Sequence, residues 1–402
     1  MNSIEARAYF PQLKDRVYGK DLVYLDNAAT SLRPQPVADK WCEMALHTNS
    51  NIHRAVHYFA QQATDEFESS RDFVTEYLNA QNIGKVIFTS GATASINLVA
   101  SCFAQAVLMP GDEVLIAECE HHSDIVPWQM ACGRTGAIIK VVPVDERGYL
   151  DLAALEKFLL SGKARIFCVA QISNVLGIIN PIKEISRICH SAGCAVLADG
   201  AQGIVHCRPD MMDLGCDFYA FSGHKVYAAP GTGVLYMTNE WASKLPPYMG
   251  GGEMISTVKW ENTTYASAPG KFEAGTQNIA GVPTLKPALQ LRSEMEYDQE
   301  ILEYILGEFR SRPDIKLYGD PLQTEDKISL FSFTVRGVHH EDLALILDKM
   351  SIAVRSGQMC AEPLMDRYGV TGMLRASFAP YNTLEEARYF MECLDRAIQM
   401  LK

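Results

Sequence analysis

The sequence predicts an α/β protein: a large domain on a mostly parallel sheet, followed by a smaller α+β lobe. Three observations lead there. From about Val23 to Met237, short apolar runs alternate with helical segments, the pattern left by helices covering both faces of a parallel sheet. A glycine-rich polar stretch, Met249 to Asn278, then breaks the alternation. Finally, 402 residues exceed what one core usually organises. The expected division is a large domain over 20–275 and a small one made of 1–19 with 276–402.

Seven strands are expected in the first part: VIFTS (Val86 to Ser90), EVLIA (Glu113 to Ala117), IIKVVPV (Ile138 to Val144), ARIFCVAQI (Ala164 to Ile172), AVLAD (Ala195 to Asp199), DFYAF (Asp217 to Phe221) and GVLYM (Gly233 to Met237). Helices are expected between several of them, at Ala94 to Val107 and Pro181 to Gly193. The Met249–Asn278 stretch is long for a plain connection and reads as a functional loop. A long helical pattern begins near Pro283. Strands ISLFSFTV (Ile328 to Val335), SIAVRS (Ser351 to Ser356) and MLRASF (Met373 to Phe378) follow, then a terminal helix from about Leu384 to Leu401.

Composition narrows the function classes. A formal charge of −12 argues against nucleic acid or an anionic membrane as the main partner. Eleven cysteines without a Cys-x-x-Cys pair fit a reducing compartment and no zinc site; most sit in apolar patterns and read as core residues. MNSIEARAYFPQLKD lacks the apolar region of a signal peptide, and no apolar run reaches spanning length. The expected location is the cytoplasm.

Chemistry concentrates at strand ends, where ligands of such folds bind. Lys225 closes the run FYAFSGHK, and Asp199 ends the earlier run in CAVLADGAQG. Lysine normally stays on the surface. Set among small residues beside a strand end, with an acid at a neighbouring one, it can lose its proton and form a Schiff base with an aldehyde. Pyridoxal phosphate requires that lysine and an acid at its pyridine nitrogen; Lys225 and Asp199 supply both. Asp199 alone reads equally well as a helix N-cap, and the pairing with Lys225 favours the cofactor.

Other residues could complete the site. Gln202 reaches the ring's phenolic oxygen if the chain turns after Asp199. In SGATASINLVA (Ser90 to Ala100) a turn opens a helix, whose free N–H groups and dipole bind phosphate. Thr93 adds a hydroxyl there, and Ser222 and His224 flank the lysine. In AECEHHSDIVPW (Ala117 to Trp128), His121 is either a ring-stacking residue or a solvated loop residue, and chemistry alone does not separate it from His122. In AVRSGQMCAEPLM (Ala353 to Met365), Cys360 follows a strand with Arg355 nearby, a setting that favours thiolate; a half-buried structural cysteine is the competing reading. Arg375, inside an apolar strand, calls for a buried anion, either a substrate carboxylate or an internal acid.

These segments resemble the group II, SUF-type cysteine desulfurases, class V aminotransferase-like members of the fold type I pyridoxal phosphate enzymes. The resemblance covers nearly the whole chain: YLDNAATS (Tyr24 to Ser31), NIHRAVH (Asn51 to His57), EHHSDIVPWQ, SNVLG (Ser173 to Gly177), ADGAQG, FSGHK, FEAGTQN (Phe272 to Asn278), RSGQMCAEPLM and LRASFAPYNT, in that order. It implies Lys225 as the Schiff-base lysine, Asp199 at the ring nitrogen, Gln202 at the phenolic oxygen and His121 stacked on the ring. Thr93, Ser222 and His224 would hold the phosphate, with Thr276 arriving from the other subunit of a homodimer. Asn174 and Arg375 would grip the substrate carboxylate, with Arg355 near the thiol loop and His53 also in the site. Lys225 would move the α-proton of L-cysteine, and Cys360 would take the sulfur as a persulfide, leaving alanine. A SUF-type acceptor protein would receive it, for iron–sulfur cluster assembly.

Three segments depart from the family pattern. Met359 precedes the nucleophile where relatives carry histidine, VYAAPGTG (Val226 to Gly233) stands for a Gly-Pro-Thr-Gly order, and SGATAS stands for Arg-Gly-Thr-Thr-Glu. The competing functions are a selenocysteine lyase or related β-lyase acting on L-selenocysteine, and, from another class, an inactive assembly scaffold. Joint retention of Lys225, Asp199 and Cys360 argues against the scaffold.

Overall fold

The large sheet has strands β1 (Gly84–Thr89), β2 (Glu113–Ala117), β3 (Ile138–Val142), β4 (Ala164–Ala170), β5 (Ala195–Asp199), β6 (Phe218–Ser222) and β7 (Gly233–Thr238), seen in a computed structural model describing residues 1–402. Their order is β1-β7-β6-β5-β4-β2-β3. Only β7 runs against its neighbours, β1 and β6; the other pairs are parallel. All seven expected strands are present. β4, β5 and β6 are apolar almost without interruption and buried along their length, as strands covered on both faces must be. β3 stops at Val142, two residues before the expected end, because Pro143 brings no N–H to the ladder.

Each face of the sheet carries its own core. Helix Ala92–Ala106 covers one face, where Phe103 packs on Trp128, Phe218 and Trp241. Helix Ile182–Ser191 buries Ile182, Ile185 and Ile188 in the core of the other face. Eight of the eleven cysteines are buried, and all eleven are free thiols.

The smaller sheet comprises β8 (Ile315–Tyr318), β9 (Leu330–Val335), β10 (Arg355–Gly357) and β11 (Met373–Ser377), in the order β8-β9-β11-β10, antiparallel throughout. The expected SIAVRS strand is two strands. Ile352–Ala353 pairs in parallel with Val23–Tyr24, and the chain then enters β10 beside β11. Val23 and Leu25 thereby join the core of the small lobe. β8 was not expected: four residues between Asp314 and Gly319 show too little periodicity to be read.

The helical run after Pro283 divides into Leu285–Glu294 and Gln299–Arg310, the second capped by Asp298, which accepts from the Glu300 N–H. Leu384–Leu401 is a helix as expected. Thr383 and Glu386 form a reciprocal cap at its start, and Phe390 packs against Phe333 and Phe378. Within the Met249–Asn278 stretch, Ile255–Val258 and Thr263–Tyr265 form an exposed hairpin. No helix is long and apolar enough to cross a membrane.

Candidate active site

The carboxyl ends of the parallel strands meet the small lobe at a cavity of about 180 Å³. Ten of the residues singled out from sequence line it: Thr93, His121, Asn174, Asp199, Ser222, His224, Lys225, Arg355, Cys360 and Arg375.

Lys225 ends a short turn, Gly223–Lys225, that follows β6 directly. The turn needs glycine at its first position, since a Cβ on Gly223 would collide with Thr232 Oγ1. Burial pushes the Lys225 ammonium below its ordinary range, and the Asp199 charge opposes that shift. Asp199, 6% exposed at the end of β5, has its carboxyl raised by burial and lowered by Lys225. Its Oδ1 accepts from the Ala201 N–H at 2.8 Å.

A polar cradle lies at the other end. Helix Ala92–Ala106 opens after Gly91, which has no side chain to cap it, so its first N–H groups take partners from outside the helix. Ala92 N–H donates to Ser222 Oγ at 2.8 Å, and the Thr93 and Ser123 hydroxyls meet at 2.7 Å. A Cβ on Gly233 would strike the Gly91 backbone, which keeps this turn close to β7. His121 and His224 are both pushed down to about 4, by burial first and then by Lys225. His121 is therefore neutral, and its Nδ1 accepts from the Ser123 N–H at 3.0 Å. That separates it from His122, whose ring is turned to the Cys360 loop.

The small lobe supplies the remaining wall. Met359 and Cys360 both have φ of 55°, in the left-handed region that is costly for residues other than glycine. Asn174 Nδ2 donates to the Met359 carbonyl at 2.9 Å, and the His122 N–H donates to the Cys360 carbonyl at 2.7 Å. Arg375, 2% exposed, is pushed down to about 10 by burial. Its Nη1 donates to the Asn174 carbonyl at 2.8 Å and its Nη2 to Asp26 Oδ1 at 3.3 Å, while its Nε has no partner. Arg355 lies directly across from Arg375 in the β10–β11 register. Two like charges facing each other are unfavourable, and an anion held between them relieves both.

Three expected residues lie elsewhere. Gln202 sits behind the wall, its amide donating to the Ala28 carbonyl at 2.9 Å. His53 and Thr276 share a separate cleft of about 40 Å³ beside Glu273, and His53 Nε2 meets Glu68 Oε1 at 2.9 Å. Asp26 was missed by sequence reasoning. Its one available signal was an acid inside the YLDNAATS segment, with nothing to connect it to Arg375.

The Aminotransferase class-V family matches residues 23–390. A probable cysteine desulfurase of Vibrio cholerae is 41% identical, over 100% of both chains. A cysteine desulfurase of Escherichia coli O127:H6 is 40% identical, over 99% of this chain and 98% of its own. Among solved structures, the cysteine desulfurase CsdA of Escherichia coli superposes with a TM-score of 0.89 at 38% identity, covering 100% of each chain. The apo cysteine desulfurase of Thermococcus onnurineus NA1 superposes with a TM-score of 0.93 at 33% identity, covering 100% of this chain and 99% of its own. The seven-stranded sheet with one reversed strand is the fold type I arrangement. The chain belongs to the class-V aminotransferase family, in its cysteine desulfurase branch.

Proposed function

We propose that this chain is a pyridoxal phosphate-dependent cysteine desulfurase that moves the sulfur of L-cysteine onto Cys360 and leaves L-alanine. One observation carries the reading: Lys225, Asp199, Cys360 and the Arg355–Arg375 pair line a single cavity.

The residues fit the cofactor. The helix N-terminus at Ala92 with the Thr93, Ser222 and His224 side chains suits a phosphate, Asp199 suits a protonated ring nitrogen, and neutral His121 suits a ring face. When bound, pyridoxal phosphate supplies an electron sink that makes the α-proton of an amino acid acidic.

The chain's own groups do the rest. Arg375 and the Asn174 amide orient the substrate carboxylate, with Arg355 adding positive charge. Lys225, already biased toward the neutral amine by burial, accepts the α-proton and returns one to the substrate. The Cys360 thiolate attacks the substrate sulfur. A sulfur–sulfur bond forms, the carbon–sulfur bond breaks, and its electron pair stays with the substrate carbon, which is protonated to give alanine.

Finer assignments belong to the same proposal. The chain acts as a cytoplasmic SUF-type enzyme that delivers persulfide sulfur to an acceptor protein for iron–sulfur cluster assembly. It is a homodimer in which Thr276, outside this cavity, faces the other subunit's site. Residues 20–275 carry the cofactor, and 1–19 with 276–402 carry the thiol loop.

The test is alanine release from L-cysteine by wild type, Lys225→Ala and Cys360→Ser, with and without candidate acceptors. Both variants should lose it. Undiminished release by Cys360→Ser would remove the persulfide step.

A further inference from the structure

Helix Glu362–Tyr368 begins two residues after Cys360, and its N-cap residue, Ala361, has no side chain able to cap it. The acceptor comes from another element: the Glu362 N–H donates to Nε2 of His122 at 2.9 Å. The preceding bond in the same contact runs the other way, from the His122 N–H to the Cys360 carbonyl at 2.7 Å. One residue of the large lobe thus brackets Cys360, through its backbone on one side and its ring on the other.

The bracketed segment needs holding. Met359 and Cys360 both adopt left-handed backbone, which non-glycine residues keep only when surrounding contacts impose it. The turn's own bond, Ala361 N–H to the Gln358 carbonyl at 3.0 Å, closes it without fixing it to the cavity. That attachment comes from His122 and from Asn174 Nδ2 on the Met359 carbonyl.

We propose that His122 is the positioning residue of the nucleophile, its neutral ring capping the helix after Cys360 so that the strained turn stays docked in the cavity. This rests on Cys360 being the sulfur acceptor. Because Nε2 accepts, the ring proton sits on Nδ1. Without the ring, the Glu362 N–H loses its partner, the turn relaxes toward ordinary backbone, and the thiol spends less time at the substrate sulfur. Substrate and cofactor contacts are untouched, so the loss falls on kcat.

The experiment compares His122→Ala with His122→Gln, whose side-chain oxygen reaches the same N–H. His122→Ala should lower kcat for alanine release about tenfold, the effect of one hydrogen bond on a reacting geometry, with KM for L-cysteine and the absorbance of bound cofactor unchanged. In the substrate-free enzyme, iodoacetamide should alkylate Cys360, followed by peptide mass, several-fold faster than in wild type. His122→Gln should restore both readouts. Wild-type alkylation and kcat in His122→Ala, or equal loss in both variants, overturns the proposal. If Cys360→Ser still releases alanine, it is the Cys360 persulfide step that fails, and the alkylation comparison still decides whether His122 holds the turn.

Discussion

Arg375 donates through Nη1 to the carbonyl oxygen of Asn174 at 2.8 Å, so the guanidinium of the small lobe and the amide residue of the large lobe form one bonded unit in the cavity wall. Sequence left the anion opposite Arg375 open between an internal acid and a substrate carboxylate. The internal acid exists, but Asp26 makes a single contact of 3.3 Å and leaves Nε unpaired. With Arg355 across the register, a net positive site remains.

Arg375→Lys keeps the charge and loses the planar fork. Losing charge-assisted hydrogen bonds of about 1.5–3 kcal/mol should raise KM for L-cysteine roughly 10- to 100-fold, with bound cofactor retained. Steady-state alanine release measures this, and an unchanged KM would rule out the carboxylate role.

Asp199→Asn removes the charge that opposes the effect of burial on Lys225. The amine should then deprotonate at lower pH than in wild type. Reductive methylation of Lys225 in the apo-protein, followed against pH, should shift its profile to lower pH. A shift to higher pH contradicts the coupling.

Arg71 and Glu273 form a buried bidentate pair, Nη1–Oε1 at 2.7 Å and Nη2–Oε2 at 2.9 Å, and Glu273 also accepts the Phe88 N–H at 2.6 Å. Together they fasten the segment leading to Thr276 onto β1. Burial lowers the Arg71 pKa, but Glu273 and Glu68 raise it by more, to above its ordinary value. Arg71→Met should leave an uncompensated buried carboxylate and cost about 3–5 kcal/mol. Urea denaturation of the apo-protein is the measurement, and a change below about 1 kcal/mol would mark the pair as no stronger than a surface bridge.

Lys327 is 3% exposed, donates to the Leu176 carbonyl, and is pushed by burial from 10.5 to about 7. The unfolded chain binds the extra proton between those values. This group's penalty is therefore fully present below about 7 and is relieved as pH rises toward 10.5. Lys327→Met should flatten the pH dependence of unfolding across that window. A slope equal to wild type would show that the lysine stays charged on folding.

By itself the sequence determined the large sheet and the chemical types at its strand ends. Runs such as IFCVA and AVLA are apolar throughout because both faces are buried, and burial is a local property that periodicity records. Lys225 and Asp199 are legible because each is a charged residue closing an apolar run, and Cys360 because it sits in a loop beside arginine rather than in an apolar run. Tertiary structure alone decided which residues meet. Asp26 reaches Arg375 across 349 residues, Arg355 opposes Arg375 only through the β10–β11 register, and His122 parts from His121 by turning to the Cys360 loop. The same structure put His53 and Thr276 in a cleft of their own. Strand order, register and hydrogen bonds between lobes set these meetings, and no local pattern of side chains encodes contacts made over that distance along the chain.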